Sequence, residues 1–215
     1  MADIDEERMV AVVDDIVRSN GSAQCYHVDV TNKDLVRDVV DRVVADFGKI
    51  DVLINAAGIM LIRPLTEINT REWETTIDLN LKGTLGGVAA VLPVFLKQKS
   101  GHIINLGSVH GLKVFSPGGA VHSASKYAIR AFSEGLRAEL AETSIRVTTV
   151  TPGAVDTGIQ NKTTGADSER MLEIYKKAIP ASAVSRAIAF AIEQPAAVDI
   201  NEIVCDPRLR SFEIA

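Results

Sequence analysis

Gly101-His102-Ile103-Ile104-Asn105-Leu106-Gly107-Ser108 is a short apolar run closed by a glycine and a serine; Ala120-Val121-His122-Ser123-Ala124-Ser125-Lys126 follows it after a loop. The first run is too short for a helix and apolar on successive residues, the pattern of a strand buried on both faces. The second opens a helical pattern over residues 119–142. Downstream, residues 145–150 read as another strand, Pro152-Gly153 as a turn, 168–178 and 181–193 as helices, and 202–205 as a last strand. Upstream, a helical region over 70–97 is interrupted around Asn80 and Gly83, and residues 50–54 form a continuous apolar strand. Before that, Leu35, Val36, Val39, Val40, Val43, Val44 and Phe47 recur at helical spacing, with Thr31 and Asp34 as a capping-box-like start and Gly48 as a stop. Residues 23–30 read as a strand, and Met9, Val12, Val13, Ile16 and Val17 as a helix ending at Gly21. Strict helix–strand alternation with apolar strands predicts an α/β fold: one domain with a doubly wound, Rossmann-like parallel sheet covered on both faces.

Composition narrows the function classes. The chain has 215 residues, 47% hydrophobic and 24% charged, enough for one core and too apolar for a disordered polymer. A net charge of −5 with dispersed basic residues predicts no nucleic-acid partner. The acidic start Asp3-Ile4-Asp5-Glu6-Glu7 is unlike a targeting segment, and the most apolar stretch, 84–96, is short and holds Pro93, so neither membrane partner nor export is expected. Cys25 and Cys205 lie far apart without metal-type spacing, which reads as two reduced thiols in or near strands of a cytoplasmic protein with no metal.

Several residues stand where ligands meet a parallel sheet, at the carboxyl ends of strands. These are Asp29-Val30-Thr31, Asn55-Ala56-Ala57-Gly58, Ser108 and Thr151-Pro152-Gly153-Ala154-Val155-Asp156-Thr157. His122 and Lys126 are four apart, so they share a helix face one turn apart. Tyr127 points about 100° away around the helix and reads as a core residue. His110, two residues past Ser108, reads as a solvated loop histidine in preference to one lining the substrate pocket, and His102 and Lys113 carry no signal. The polar stretch 158–169 reads as a mobile lid.

The stretch from Gly101 to Arg137 resembles the short-chain dehydrogenase/reductase family, and the likeness extends over nearly the whole chain. The family pattern is a Ser at a strand end, then a Tyr-x-x-x-Lys helical turn; here Ser108 and Lys126 match and His122 stands at the Tyr position. Asn80 resembles the family's helix-interrupting Asn that ties water to the Lys. The resemblance implies hydride transfer between NAD or NADP and a small alcohol or carbonyl substrate. It implies catalytic Asn80, Ser108, His122 and Lys126. It also implies cofactor contacts at Asp29, Val30, Asn55, Ala56, Ala57, Gly58, Lys126, Pro152, Gly153, Val155 and Thr157. A homo-oligomer, dimer or tetramer, joined through the Asn80 and Lys126 helices, is implied as well.

Two departures qualify these expectations. No Gly-rich turn between a strand and a helix occurs, so the domain is expected to be N-terminally truncated, lacking its first β-α-β unit and binding dinucleotide weakly. The strands over 23–30 and 50–54 are then expected either to pair directly or to leave association-prone edges. Second, neutral imidazole beside a cation is a poor acid at pH 7 but can accept a proton. Two readings therefore stand open: an oxidoreductase with impaired catalysis, or a non-catalytic binding or subunit-interaction module.

Overall fold

The computed structural model describes residues 1–114, 118–162 and 168–208. In chain order the N-terminal elements are β1 (Ala2–Asp3), α1 (Glu6–Arg18), β2 (Tyr26–His27), α2 (Lys33–Phe47) and β3 (Val52–Asn55). Then come α3 (Thr70–Thr76), α4 (Gly83–Gln98), β4 (Gly101–Leu106), α5 (Ala120–Glu139) and β5 (Ile145–Pro152). The last elements are β6 (Val155–Asp156), α6 (Ser168–Tyr175), β7 (Ile179–Pro180), α7 (Ala181–Ile192) and β8 (Glu202–Cys205). The alternation expected from the sequence is present.

The main sheet is parallel, in the order β3-β4-β5-β8. Its central strand shows why it is covered on both faces. Ile103 packs into a cluster with Val40, Val88, Val91, Phe95, Leu136 and Val147, whereas its neighbour Ile104 packs with Val150, Val155 and Val184. Both isoleucines are fully buried. Successive strand side chains point to opposite faces, so α2, α4 and α5 cover one face and α7 the other. Each such side chain contributes roughly 1.5–3 kcal/mol on burial.

The helical run Thr70–Gln98 is long and apolar enough, by length and composition, to cross a membrane. Its apolar side is instead taken up by the core, where Val88, Val91 and Phe95 are buried. The interruption expected near Asn80 is a π-helical turn, Ile77–Lys82, in which Thr84 Oγ1 donates to the Asn80 carbonyl at 2.8 Å. A single π turn inserts one extra residue into the ladder and re-aims the side chains around it.

The N-terminal part departs from expectation in three ways. The strand expected over 23–30 forms a ladder only at Tyr26–His27, and its partner is β1, two strand residues at the chain start that the sequence reading did not contain. Direct pairing with β3 does not occur. Between β1 and β3 lies a groove of about 330 Å³ lined by Ala2, Val28, Val39, Val43, Val52 and Ile54 among others. The cap of α2 is Asn32, whose Oδ1 accepts from the Asp34 and Leu35 amides, and not Thr31. Thr31 is occupied elsewhere: its amide and its hydroxyl both donate to Asp29 Oδ1. On α1 only Met9 is buried, and Val12 and Val17 are exposed.

Candidate active site

The carboxyl end of β4 builds the centre of the site. The chain leaves Leu106 through Gly107, whose amide donates to the Val150 carbonyl at 2.8 Å, and reaches Ser108 in extended conformation. Ser108 caps a short 3-10 turn, Val109–Gly111, its Oγ accepting from the His110 amide at 3.2 Å. Gly111 lies so close to α5 that an added Cβ would stand 2.8 Å from the Lys126 carbonyl oxygen. A glycine there lets the turn press against the helix.

From α5, His122 and Lys126 enter the same space, as their four-residue spacing requires. Lys126 Nζ donates to the Leu106 carbonyl oxygen at 2.9 Å. Burial pushes its amine down to about 8. His122 is buried, with Nδ1 lacking a hydrogen-bond partner among the described residues. Burial, then His110, then Lys126 hold its pKa well below the ordinary histidine value. The ring is therefore neutral at physiological pH. His110 meets it edge-on, ring centroids 5.1 Å apart at 77°, and its Nδ1 lies 3.2 Å from Ser123 Oγ. Burial and then Lys126 push His110 down to about 4.

Asn80 sits behind this group, fully buried. Its Oδ1 accepts from the Ile59 amide at 2.8 Å, while its Nδ2 donates to the Ile59 carbonyl at 3.0 Å and to Ser125 Oγ at 3.1 Å. Ser125 Oγ in turn donates to the His122 carbonyl. Asn80 thus ties the segment after β3 to the helix that carries His122 and Lys126. A buried amide whose groups are paired on two elements fixes their relative position.

One cavity of about 310 Å³ gathers much of the sequence-derived set: Ala56, Gly58, Ser108, His122, Lys126, Pro152, Gly153, Val155 and Thr157. The turn after β5 is held by the Gly153 amide donating to the Cys205 carbonyl at 2.8 Å. Other expected contacts fall elsewhere. Val30, Asn55 and Ala57 line the groove between β1 and β3, and Ala56 borders both spaces. Asn55 Nδ2 donates to Asn105 Oδ1, whose own amide donates to Ser133 Oγ, so this side chain joins β3, β4 and α5. Asp29 lines neither space; the Thr31 amide and hydroxyl lower its pKa.

Three sequence readings are corrected here. His110 is buried and lines the cavity, because the 3-10 turn folds it back against α5. Tyr127 is 39% exposed instead of packed in the core, since the α5 face one residue beyond Lys126 is left uncovered. The cavity also holds residues the sequence did not signal, above all Ile59, Met60 and Tyr175. Tyr175 OH contacts Met60 Sδ at 3.6 Å, and burial raises its phenol to about 12. The apolar period of 168–178 was the available clue. Of the expected lid, Gly158 adopts a left-handed conformation and Ile159 lines the cavity, whereas residues 163–167 lie outside the described residues.

Known proteins share this arrangement of chain. The sequence model of the short chain dehydrogenase family matches residues 1–168. An uncharacterised oxidoreductase of Staphylococcus saprophyticus is 46% identical over 194 residues, 89% of this chain and 78% of the relative. One from Listeria innocua is 40% identical over 205 residues, 94% and 82% of the two chains. Among solved structures, the closed form of a serine dehydrogenase complexed with NADP+ is 31% identical with a TM-score of 0.85, covering 94% of this chain and 82% of that one. A short-chain dehydrogenase/reductase from Burkholderia phymatum in complex with NAD shares the fold at TM-score 0.86 and 24% identity, over 94% of this chain and 78% of that one. With the strand-end serine, the buried lysine one turn after His122 and a match over most of its length, the chain belongs to the short-chain dehydrogenase family.

Proposed function

We propose that this chain is an NAD(P)-type oxidoreductase site for a small alcohol or carbonyl compound, with weak dinucleotide affinity and impaired proton transfer. The observation that carries the reading is the shared cavity of Ser108, His122 and Lys126, walled by the Pro152–Thr157 turn and the small Ala56 and Gly58. These residues suit the nicotinamide end of a dinucleotide, where close backbone approach matters. Lys126, with Pro152, Gly153, Val155 and Thr157, would hold that end. The pyrophosphate end fits less well. Among the described residues no glycine turn feeds a helix N-terminus beside the groove, whose walls are mainly valine, isoleucine and alanine. When bound, the dinucleotide supplies or takes up a hydride.

The chain's own residues then handle oxygen and proton. Ser108 offers its hydroxyl to the substrate oxygen. Asn80 holds Ile59 and α5 in register, and Leu106 holds the lysine amine in place. His122, neutral and with Nδ1 unpartnered among the described residues, accepts the alcohol proton during oxidation. It serves poorly as an acid for carbonyl reduction, because so little imidazolium forms. As a unit the protein is read as one cytoplasmic domain, and as a homo-oligomer through the helices that carry Asn80 and Lys126.

Calorimetric titration tests the cofactor part. NAD+ and NADP+ are expected to bind weaker than about 0.1 mM. Micromolar affinity for either would mean that the phosphates find partners this reading omits. The non-catalytic alternative is favoured by a specific feature, the apolar groove bordered by the edges of β1 and β3, which suits association more than chemistry. Turnover of alcohols with either dinucleotide, abolished by Lys126→Met, would dismiss it.

A further inference from the structure

We propose that the Lys126 amine captures small apolar aldehydes as an imine, a reaction that uses the same cavity but needs no dinucleotide. Three features point to it. First, Lys126 is a buried lysine on the wall of a cavity, with no carboxylate within salt-bridge distance among the described residues and none among the described lining residues. Its Nζ is held by one neutral acceptor, the Leu106 carbonyl. Burial without a counter-ion keeps a sizeable share of the amine unprotonated near pH 8.

Second, the lysine borders the cavity beside a residue with no side chain. An added Cβ at Gly58 would meet Nζ at 3.9 Å, an ordinary contact that glycine leaves unmade, and the cavity of about 310 Å³ lined by both residues admits a small organic molecule. Third, the walls select the class of electrophile. Ile59, Met60, Val109, Val155 and Ile188 line the space, and among the described lining residues Lys126 is the sole lysine or arginine. Once the amine is neutral no cation remains there to bind an anionic aldehyde, so an uncharged, apolar one fits.

The chemistry balances without an oxidant or reductant. The amine lone pair forms a C–N bond to the aldehyde carbon as the C=O π bond opens. A proton leaves nitrogen for the carbonyl oxygen, giving a carbinolamine, with the Ser108 hydroxyl available to hydrogen-bond that oxygen. The oxygen then departs as water with the second nitrogen proton, leaving C=N. The same lysine contacts the nicotinamide end in the function proposed above, so bound dinucleotide and aldehyde would exclude each other.

The test uses hexanal with cyanoborohydride to trap the imine, followed by peptide mass mapping of the intact chain's digest. At pH 7 Lys126 is expected to acquire the hexyl group on the order of tenfold faster than the exposed Lys97 and Lys99, because burial lowers the pKa of its amine. Ile188→Trp, which adds bulk to the cavity wall from a different helix and leaves the lysine in place, should slow labelling of Lys126 by a similar factor and leave Lys97 and Lys99 unchanged. Lys126→Arg should remove the modification at that position altogether. Lys126 reacting no faster than the surface lysines, or equally fast in Ile188→Trp, would overturn the proposal. Rapid capture that saturating NADP+ does not slow would uphold the imine while counting against the cofactor reading, so the two can fail separately.

Discussion

The main sheet and the N-terminal strand pair are built from similar apolar runs and end up in different physical states. In β4 and β5 every residue except Gly101, Leu106, Arg146 and Pro152 is buried, helices cover both faces, and each strand has a neighbour on either side. In β3, at the border, Ile54 is 43% exposed and the edge facing β1 is unpaired among the described residues. On α1, Val12 and Val17 are exposed although their spacing is as regular as that of α5. An apolar period decides that a segment is amphipathic; a partner surface decides whether its face is buried. The candidate site residues follow the same division. Those at the well-packed end of β4 and β5 converge on one cavity, and those at Asp29–Val30 and Asn55 do not join it.

The sharpest way to break this contrast is at His122. If the packed half is a competent catalytic frame with one wrong acid, His122→Tyr should raise carbonyl reduction by 10²–10⁴-fold, the usual contribution of a positioned acid. The measurement is steady-state reduction of a carbonyl panel at saturating dinucleotide. A variant that binds dinucleotide and remains inactive across the panel would place the defect in the frame itself.

The stability of the two regions should differ almost as widely. Phe95→Ala removes a fully buried ring from the main core and should lower unfolding stability by about 3–5 kcal/mol. Val17→Ala on α1 should change it by less than about 0.5 kcal/mol. Denaturant unfolding of both variants gives the comparison; equal losses would mean that the N-terminal helix packs as tightly as the sheet.

Acid should act through the buried histidines of the packed half. His102, whose Nε2 lies 2.7 Å from Thr148 Oγ1, is pushed down to about 4 by burial and by Arg146, as His110 is by burial and by Lys126. A folded pKa below the unfolded 6.5 means that the unfolded chain binds more protons between these values. The associated stability is then fully present above pH 6.5 and is lost as pH falls toward 4. Each histidine contributes at most ~3 kcal/mol across that window. His102→Gln should flatten the dependence of unfolding free energy on pH between 4 and 6.5; an unchanged slope would exclude His102 as a source.

The smallest expected effect lies at the start of α2, in the less packed half. Asn32→Ala removes the acceptor for two helix amides and should destabilise by roughly 1 kcal/mol. Thr31→Val leaves those bonds intact and should destabilise less in the same thermal melts. The reverse order would restore Thr31 as the cap.

The reading of the cap illustrates how local ambiguity arises. Thr31 and Asn32 both suit an N-cap, and sequence spacing favoured Thr31 with Asp34. Asp29 settled it by accepting from the Thr31 amide and hydroxyl, leaving Asn32 to face the helix. His110 was misjudged for a related reason. Nothing in Ser108-Val109-His110-Gly111 reveals that the turn folds back against α5, since that depends on the contact of Gly111 with Lys126.

The family resemblance put Ser108 beside His122 and Lys126; the sequence by itself determined the order and kind of elements, the parallel character of the sheet, and the helix face that His122 and Lys126 share. Those follow from short-range periodicity and from strand ends, which any folded form of this chain must respect. Tertiary structure alone decided which apolar faces found partners, and that β1 pairs with β2 across a groove from β3. It also decided that Tyr175 and Met60 close the cavity and that the lysine amine sits without a carboxylate among the described residues. Each of these depends on surfaces from segments distant in sequence, and burial, unlike periodicity, is a property of the neighbours as much as of the residue.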